Sequence, residues 1–334
     1  MSWQSIVGHD RLVKIFANAF ARGRLGHAYC FLGEAGVGKH TFARQLAKTV
    51  LCEKPGAAFD SCDNCSSCHL IDAGTHPDLF MVARPPDKQE FPIDVIKEQL
   101  LPNLALKPAR GMRKVAILDD ADDLNEEAAN CFLKTLEEPP PGSLLILVGG
   151  TNVEGQLPTI VSRCQVIQFN PMAPADVRRV LALHEVTDPV RQERLVQLAG
   201  GSPGRALALD DDEIWAFRSH LLEMLARPHP DLAVEAKAWM EFIANAGKDS
   251  APQRRRANFV FRILLATLQS AMRIACGMEP GQGADAVSLR KISARVGEAN
   301  LLKMIERTLQ ADLQNDRRVQ LVLVVEAYLD ALAR

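Results

Sequence analysis

A glycine-rich loop near the start of the chain constrains the fold more than any other stretch. Gly33 is followed by four residues and then by Gly38 and Lys39, which is the spacing of a phosphate-binding loop. Apolar, strand-like residues precede the loop at 28–32, and residues 42–48 have helical spacing. Strand, glycine loop and helix together are the context that this motif requires. The sequence therefore predicts a nucleotide site in which backbone amides and a helix N-terminus face the phosphates.

The residue after the lysine departs from the usual pattern. Gly36 lies inside the loop, and Lys39 is expected to reach the outer phosphates. His40 occupies the position of the Mg²⁺-binding hydroxyl, and imidazole is a poor ligand for a cation that prefers oxygen. Thr41 comes one residue later, and one helical step turns a side chain by about 100°, so its hydroxyl should miss the metal. We interpret the site as one that holds a nucleotide but hydrolyses it poorly; a chance glycine loop is the alternative.

A second part of the predicted site follows a short apolar run at 114–118. The run ends in Asp119 and Asp120. Because carboxyl ends of strands face the ligand crevice in α/β sheets, Asp119 fits the Mg²⁺-holding acid of a P-loop ATPase. Asp120 lies where a water-activating glutamate is common, but its side chain is one methylene shorter. Asp122 and Asp123 are interpreted as acids at a helix N-terminus, where the helix dipole favours them.

Half of the eight cysteines are clustered in the sequence: Cys52, Cys62, Cys65 and Cys68. The last three are separated by two residues each, and such short loops bring thiolates onto one metal ion. The pattern predicts a structural, four-coordinate Zn²⁺ site. Two alternatives remain at this point: His69 or His76 could replace one cysteine, and an iron–sulfur cluster uses similar spacing.

The order of elements predicts an α/β domain followed by helices. Strands alternate with helices up to about residue 170, which favours a parallel, three-layer sheet domain over 1–170 that contains the metal module at 52–68. The β signal then stops. A small helical domain is predicted over 171–212 and an all-helical domain over 213–334.

Composition limits the possible partners. The net charge is −2, so any nucleic-acid contact must come from a local basic patch. The triplet Arg254–Arg256 is either a solvated helix face or such a DNA-phosphate contact. No apolar run approaches the ~20 residues of a membrane span, and the N-terminal residues lack the pattern of a signal peptide. We expect a cytoplasmic protein with no membrane partner.

Several motifs now stand together in order. They are the phosphate loop, the cysteine cluster, Leu-Asp-Asp-Ala-Asp at 118–122, Leu-Lys-Thr-Leu-Glu-Glu-Pro-Pro at 133–140 and Leu-Pro-Thr-Ile-Val-Ser-Arg-Cys at 157–164. This combination closely resembles the subunits of the bacterial DNA polymerase III clamp loader, an AAA+ assembly. The motifs cover about residues 1–209. The resemblance implies an AAA+ P-loop domain with a zinc module, a helical lid domain and a C-terminal helical collar that mediates oligomerisation.

Within that family the chain is similar to the delta-prime type rather than to the tau/gamma motor. His40 in the loop and Asp120 in place of glutamate point that way, as does Gly204, where the motor pattern has an arginine. Arg205 is displaced by one position from that sensor arginine. The first sensor, at Gly149–Thr151, also departs from its usual threonine pair, and Asn152 or Thr151 is implied to take its place.

The resemblance implies a role in trans for Arg163 of the Ser-Arg-Cys motif. In this family that arginine reaches across a subunit interface to the neighbour's γ-phosphate, a task suited to a permanently charged, forked side chain. Arg163 is thus the implied catalytic residue, in a site owned by another subunit.

The leading hypothesis is therefore a stator that supplies Arg163 and helps to load a sliding clamp onto primed DNA during replication. It implies structural Zn²⁺, weak use of ATP and Mg²⁺, and little ATPase activity of its own within the polymerase holoenzyme. The implied partners are tau/gamma and delta subunits in a hetero-oligomer, the sliding clamp, and primer-template DNA through local basic patches. The alternatives are an ATP-hydrolysing tau/gamma-type motor and, from another class, a P-loop kinase or a zinc-dependent DNA-binding protein.

Overall fold

The computed structural model describes most of the chain. The described residues are 3–56, 59–85, 88, 90–150, 156–279 and 285–333. The chain divides into two compact units, Met1–Leu207 and Ala208–Arg334. The finer division into sheet domain, lid and collar stays a prediction.

The first unit is built on a five-stranded parallel sheet. Its strands are β1 (Ala28–Gly33), β2 (Leu79–Val82), β3 (Lys114–Leu118), β4 (Ser143–Val148) and β5 (Gln165–Phe169). Their order across the sheet is β2-β3-β4-β1-β5, and every pairing is parallel. The predicted α/β class with a parallel sheet is confirmed.

Helices cover both faces of this sheet, which explains why β1, β3 and β4 are buried along their whole length. The α-helices of the unit are α1 (Asp10–Ala21), α2 (Lys39–Leu51), α3 (Ser66–Asp72), α4 (Leu101–Ala105), α5 (Glu126–Glu137), α6 (Pro158–Val161), α7 (Pro174–Leu183), α8 (Pro189–Ala199) and α9 (Pro203–Ala208). A π-helical turn at Val95–Leu100 leads into α4. One core contains Phe16, Phe31, Phe42 and Phe169, whose packed rings exclude water behind the phosphate loop.

The sheet order determines where the predicted site residues meet. β1 and β3 are both neighbours of β4, and the three strands run in the same direction. Leu147 of β4 aligns with Cys30 of β1 and with Leu118 of β3. The segments that follow these strands therefore leave the sheet at one edge, and this edge carries the phosphate loop, Asp119 and Gly149.

The second unit consists of helices in its described residues. They are α10 (Asp212–Ala226), α11 (Leu232–Ala244), α12 (Ser250–Ala275), α13 (Ala286–Val296), α14 (Glu298–Asp316) and α15 (Leu321–Ala333). Its core contains the rings of Trp239, Phe261 and Tyr328, and the Tyr328 hydroxyl lies 2.9 Å from that of Thr308. Among the described helices of the chain, none combines the length and apolar character needed to cross a bilayer.

The basic triplet lies on α12, and two of its members serve the fold. Arg254 donates from Nη1 to the backbone oxygen of Asn315, in the last turn of α14, at 3.1 Å and to that of Val319, in the segment after α14, at 3.0 Å. Arg256 pairs with Glu213 at 2.9 Å. These contacts favour a structural role for both arginines over a DNA contact.

A buried lysine joins the cysteine-containing loop to the helix that follows the phosphate loop. Lys48 of α2 is only 2% exposed, and its Nζ lies 2.7 Å from a carboxylate oxygen of Asp63 and 2.7 Å from one of Asp72. Asp63 directly follows Cys62, and Asp72 ends α3. A buried ammonium is stable only when it is paired, so this bridge fixes the cysteine loop against α2.

We expect Lys48→Met to lower the free energy of unfolding by about 1–2 kcal/mol, because two charge-assisted hydrogen bonds are lost while the aliphatic stem is kept. The expected loss of stability is moderate, because both aspartates are partly exposed and can form hydrogen bonds with water when the lysine is removed. Urea unfolding followed by circular dichroism measures the change. The exposed Lys14→Met is the control, and equal midpoints for the two variants would show that the bridge contributes nothing.

Candidate functional site

The phosphate loop has the backbone that its glycines predict. Gly36 and Gly38 have φ values of +79° and +98°, a region that residues with a side chain rarely adopt. Gly38 directly precedes α2, which begins at Lys39. The first amides of a helix have no partner within the helix, so those of α2 are available to phosphate oxygens. The loop is a competent anion site.

Backbone carbonyl groups of the loop hold the side chain of Lys39. Its buried Nζ donates to the carbonyl oxygens of Gly33 and, at 2.9 Å, of Glu34. Burial lowers the pKa of Lys39, while the charges of Asp122 and Asp119 act in the opposite direction. The ammonium thus lies beside the loop among carboxylates, where phosphate oxygens can replace its neutral carbonyl partners.

The two residues expected at the metal position bind each other. Nδ1 of His40 donates to Oδ2 of Asp119 at 2.9 Å. This hydrogen bond is the largest influence on His40 and raises its pKa. Burial is the largest influence on Asp119 and acts to raise its pKa. The bond to His40, the charge of His40, the amide of Asp120 and the charge of Lys39 together outweigh it, so the net change is downward. The contact therefore favours the imidazolium form of His40 and the carboxylate form of Asp119, and the imidazole occupies Oδ2, one of the two oxygens that Asp119 could offer to Mg²⁺.

The other sequence-predicted residues at this edge are placed as follows. Thr41 is exposed and lines the same cleft as His40. Asp120 also lines it, in a left-handed turn with φ +54°, and burial followed by the charge of Asp119 raises its pKa. Asn152 lies outside the described residues, so its predicted sensor role stays a prediction.

Asp122 lies in the first turn of a short 3₁₀ helix at Ala121–Asp123, which agrees with its interpretation as a helix-terminal acid. It also lines the cleft and accepts a hydrogen bond from the backbone amide of Gly150, which the sequence did not predict. Burial raises the pKa of Asp122 to about 6. A Cβ atom on Gly149 would lie 2.8 Å from Oδ1 of this carboxylate. The sequence signal for this contact was the pair Gly149-Gly150 after β4. Two residues without side chains leave room for the carboxylate of Asp122, which follows the neighbouring strand β3.

The start of α9 lies directly on the phosphate loop. Ser202 donates from Oγ to the carbonyl of Ala35 at 2.7 Å, and the amide of Gly204 donates to the carbonyl of Gly36 at 2.9 Å. A Cβ atom on Gly204 would lie 2.8 Å from the Cα atom of Gly36. This glycine-on-glycine contact cannot accept the motor family's arginine at position 204 unless the loop moves.

Arg205 is engaged with the loop instead of pointing freely into the cleft. Its Nη2 pairs with the carboxylate of Glu34, and its Nη1 donates to the carbonyl of Ala199 at 3.2 Å. The side chain thus ties α9 to the first residue after β1. A sensor arginine must be available to phosphate, so Arg205 acts in this arrangement as a link between loop and helix.

The loop, the carboxylates and α7 enclose a cleft of about 750 Å³. That volume lies within the range of cofactor sites. Apolar residues also line the cleft, among them Ile6, Met172, Val180 and Leu183. His9 forms part of the wall, and its Nε2 lies 2.7 Å from the carbonyl of Val37. Apolar walls beside a phosphate loop suit a nucleotide. His9 was missed from the sequence because the residues around it show only the pattern of an amphipathic helix.

Arg163 lies outside the residues that line this cleft in the described part of the chain. It follows the four-residue helix α6, and its side chain is about one-third exposed. Nε lies 2.8 Å from Oε1 of Glu137, which Nη2 also contacts, and Nη1 donates to the carbonyl of Thr159 at 2.9 Å. The guanidinium is thus ordered at the surface and is remote from its own chain's phosphate loop.

The four clustered cysteines meet as the spacing predicts. The sulfur atoms of Cys52, Cys62, Cys65 and Cys68 all lie within 4.8 Å of one another. The Cys52 and Cys65 sulfurs are 3.9 Å apart, close to the separation of about 3.8 Å that follows from tetrahedral Zn–S bonds of ~2.3 Å. The predicted histidine alternative is not supported for His76, because its Nδ1 accepts from the amide of Asp78. The donor set fits one tetrahedral thiophilic ion.

Comparison with known proteins identifies the relatives of this chain. The profile of a family described as "DNA polymerase III, delta subunit" matches residues 8–173. The chain is 37% identical over 205 residues to DNA polymerase III subunit delta' of Pseudomonas aeruginosa, covering 60% of this chain and 61% of the relative. It is 32% identical over 239 residues to DNA polymerase III subunit delta' of Escherichia coli, and the match covers 71% of this chain and 68% of that relative. Subunit tau of Escherichia coli is 34% identical over 220 residues, covering 64% of this chain and 33% of tau.

The His40–Asp119 pair predicts a pH dependence. We expect the His40 ring to titrate above its ordinary value near 6.5, because protonation strengthens the bond to Asp119. Since the folded pKa is the higher one, the stability contributed by the pair is complete below the unfolded pKa and is lost as pH rises through the folded pKa. NMR titration of the ring measures this, with Asp119→Asn expected to lower the pKa. An unchanged titration in that variant contradicts the assignment.

Proposed function

The chain belongs to the family of DNA polymerase III delta-prime subunits, and on that premise we propose that it is the stator of a clamp loader in DNA replication. It supplies Arg163 in trans to the nucleotide site of an ATP-hydrolysing neighbour. The observation that carries this proposal is the position of Arg163, which is ordered and one-third exposed outside its own chain's cleft. An arginine in that position can reach another subunit's phosphates without leaving its own fold.

Arginine chemistry suits the transfer of γ-phosphate that the neighbour performs. The guanidinium remains charged at every physiological pH and can donate two parallel hydrogen bonds to phosphate oxygens. An arginine supplied in trans is worth about 10³–10⁵ in rate in GTPases. Arg163 would stabilise the charge that develops on the γ-phosphate oxygens, while the neighbour's own loop and Mg²⁺ orient the reacting groups.

The chain's own cleft is proposed to hold an adenine nucleotide without efficient hydrolysis. Lys39 and the amides of the loop supply the phosphate contacts. Hydrolysis needs Mg²⁺ and an oriented water, but Asp119 is bound by His40 and the following acid is the shorter Asp120. The contact of Gly204 with Gly36 also keeps α9 on the loop. These features favour the stator over the tau-type motor, to which the chain is also similar.

The partners follow from the same proposal. Tau/gamma and delta subunits would form the hetero-oligomer, with the helices of 208–334 as the assembling unit. The sliding clamp and primer-template DNA would be the objects on which the assembly acts, in the cytoplasm. DNA contacts are assigned to local basic patches other than Arg254 and Arg256, since these two arginines bind groups of their own unit.

We assign one structural Zn²⁺ ion to Cys52, Cys62, Cys65 and Cys68. The compact arrangement of the sulfurs favours a single ion over an iron–sulfur cluster, because cluster iron and sulfide atoms must lie between the cysteines. With four protein ligands no position remains for a water, so the ion supports the fold rather than chemistry.

The purified chain should contain one zinc per molecule by atomic absorption and lack the visible absorbance of an iron–sulfur cluster. Cys65→Ser should lose the metal and lower the thermal midpoint by about 5–10 °C, since one of the four ligands is removed while the serine hydroxyl can still cap α3. Cys276→Ser, which changes an exposed cysteine that is not a member of the cluster, is the control. Full zinc content in Cys65→Ser would contradict the assignment.

The trans role of Arg163 is tested in a complex reconstituted with the ATP-hydrolysing subunit. Arg163→Ala should lower the ATPase kcat of the complex by at least about tenfold at saturating ATP, while complex formation measured by gel filtration is unchanged. Arg178→Ala, a surface arginine of α7, is the matched control. An unchanged ATPase rate in Arg163→Ala would remove the basis for the proposal.

A further inference from the structure

Glu137 is the partner that holds Arg163, and its position in the chain is unusual for an acid. It is the last residue of α5, which ends before three consecutive prolines. A negative charge at a helix C-terminus is disfavoured by the helix dipole. A carboxylate in that position therefore needs a compensating partner, and Arg163 provides it from the turn after α6.

The guanidinium of Arg163 is almost fully committed to its own chain. Its Nε and Nη2 both donate to Oε1 of Glu137. Its Nη1 donates to the carbonyl of Thr159 at 2.9 Å and lies 3.1 Å from Oγ of Ser162. A guanidinium has five N–H groups, and these four bonds leave one of them for any other acceptor.

A phosphate can be gripped by two parallel N–H groups only if one of these bonds is released. Thr159 and Ser162 belong to the same turn as Arg163, are neutral, and need not be displaced. Glu137 belongs to another helix and carries a full negative charge, so it competes for the Nε–Nη2 edge and repels an approaching phosphate. Glu137 is accordingly the group that must give way.

We propose that Glu137 is a positioning residue that occupies the phosphate-binding edge of Arg163 until a triphosphate in the neighbouring subunit takes its place. The inference rests on the proposed trans role of Arg163 and adds the exchange of partners that this role requires. This exchange requires that the ion pair between Arg163 and Glu137 break easily. Both side chains are partly exposed, at 32% for Arg163 and 50% for Glu137. Ion pairs of this exposure stabilise the paired state by up to about fivefold in its equilibrium constant.

The exchange predicts that loss of the Glu137 charge helps engagement in trans. In the complex with the ATP-hydrolysing subunit, Glu137→Gln should raise the ATPase kcat/KM by about two- to fivefold, mainly through a lower KM for ATP. The substitution preserves size, so the fold should be kept, and an unchanged thermal midpoint checks this. Glu138→Gln changes the neighbouring exposed acid and should leave kcat/KM unchanged.

A double-mutant cycle separates this role from a purely structural one. If Glu137 acts through Arg163, then Glu137→Gln should have no effect in an Arg163→Ala background. An effect that persists there, or a Glu137→Gln complex with unchanged or lower kcat/KM while Arg163→Ala loses activity, overturns the role of Glu137 and leaves the trans arginine standing. An Arg163→Ala complex of full activity overturns both.

Discussion

The hydrogen bond between His40 and Asp119 determines what the phosphate site of this chain can do. In a P-loop ATPase the corresponding positions hold Mg²⁺ between a hydroxyl and a carboxylate. Here an imidazole donates to the carboxylate at 2.9 Å, and its protonated form compensates the charge of the acid without a metal. The loop amides and Lys39 remain able to bind phosphate. The proposed separation of nucleotide binding from hydrolysis depends on this one contact.

The contact of α9 with the phosphate loop also favours nucleotide binding without hydrolysis. Gly204 approaches Gly36 so closely that neither position has room for a side chain, and Arg205 is tied to Glu34 next to the loop. Arg163 lies at the surface, outside the residues that line the cleft, whereas Lys39 lies within it. These two placements are the basis of the proposed stator, in which Lys39 serves the chain's own cleft and Arg163 serves a neighbour.

Most of the sheet and the elements of the site could be predicted from the sequence alone. The strands β1, β3 and β4 are buried on both faces, so they read as unbroken apolar runs, and the loop and cysteine cluster have short, specific spacing. Contacts between segments that are distant in the sequence could not be predicted in this way. Asp122 facing Gly150, Gly204 on Gly36, and Lys48 between two aspartates depend on how the helices pack, and none of them leaves a local pattern. The sequence therefore predicted Asp122 as an acid in a first helical turn but could not show that its carboxylate also lines the cleft.

The most direct measurement is nucleotide binding to the isolated chain by calorimetry, with Mg²⁺ present and with Mg²⁺ removed by a chelator. We expect ADP affinity to change by less than about threefold between the two conditions, because His40 already occupies Asp119. We expect His40→Ser to make binding depend on Mg²⁺ by about tenfold or more. Wild-type binding that disappears when Mg²⁺ is removed would contradict the role of the His40–Asp119 pair, since the metal would then be held despite His40.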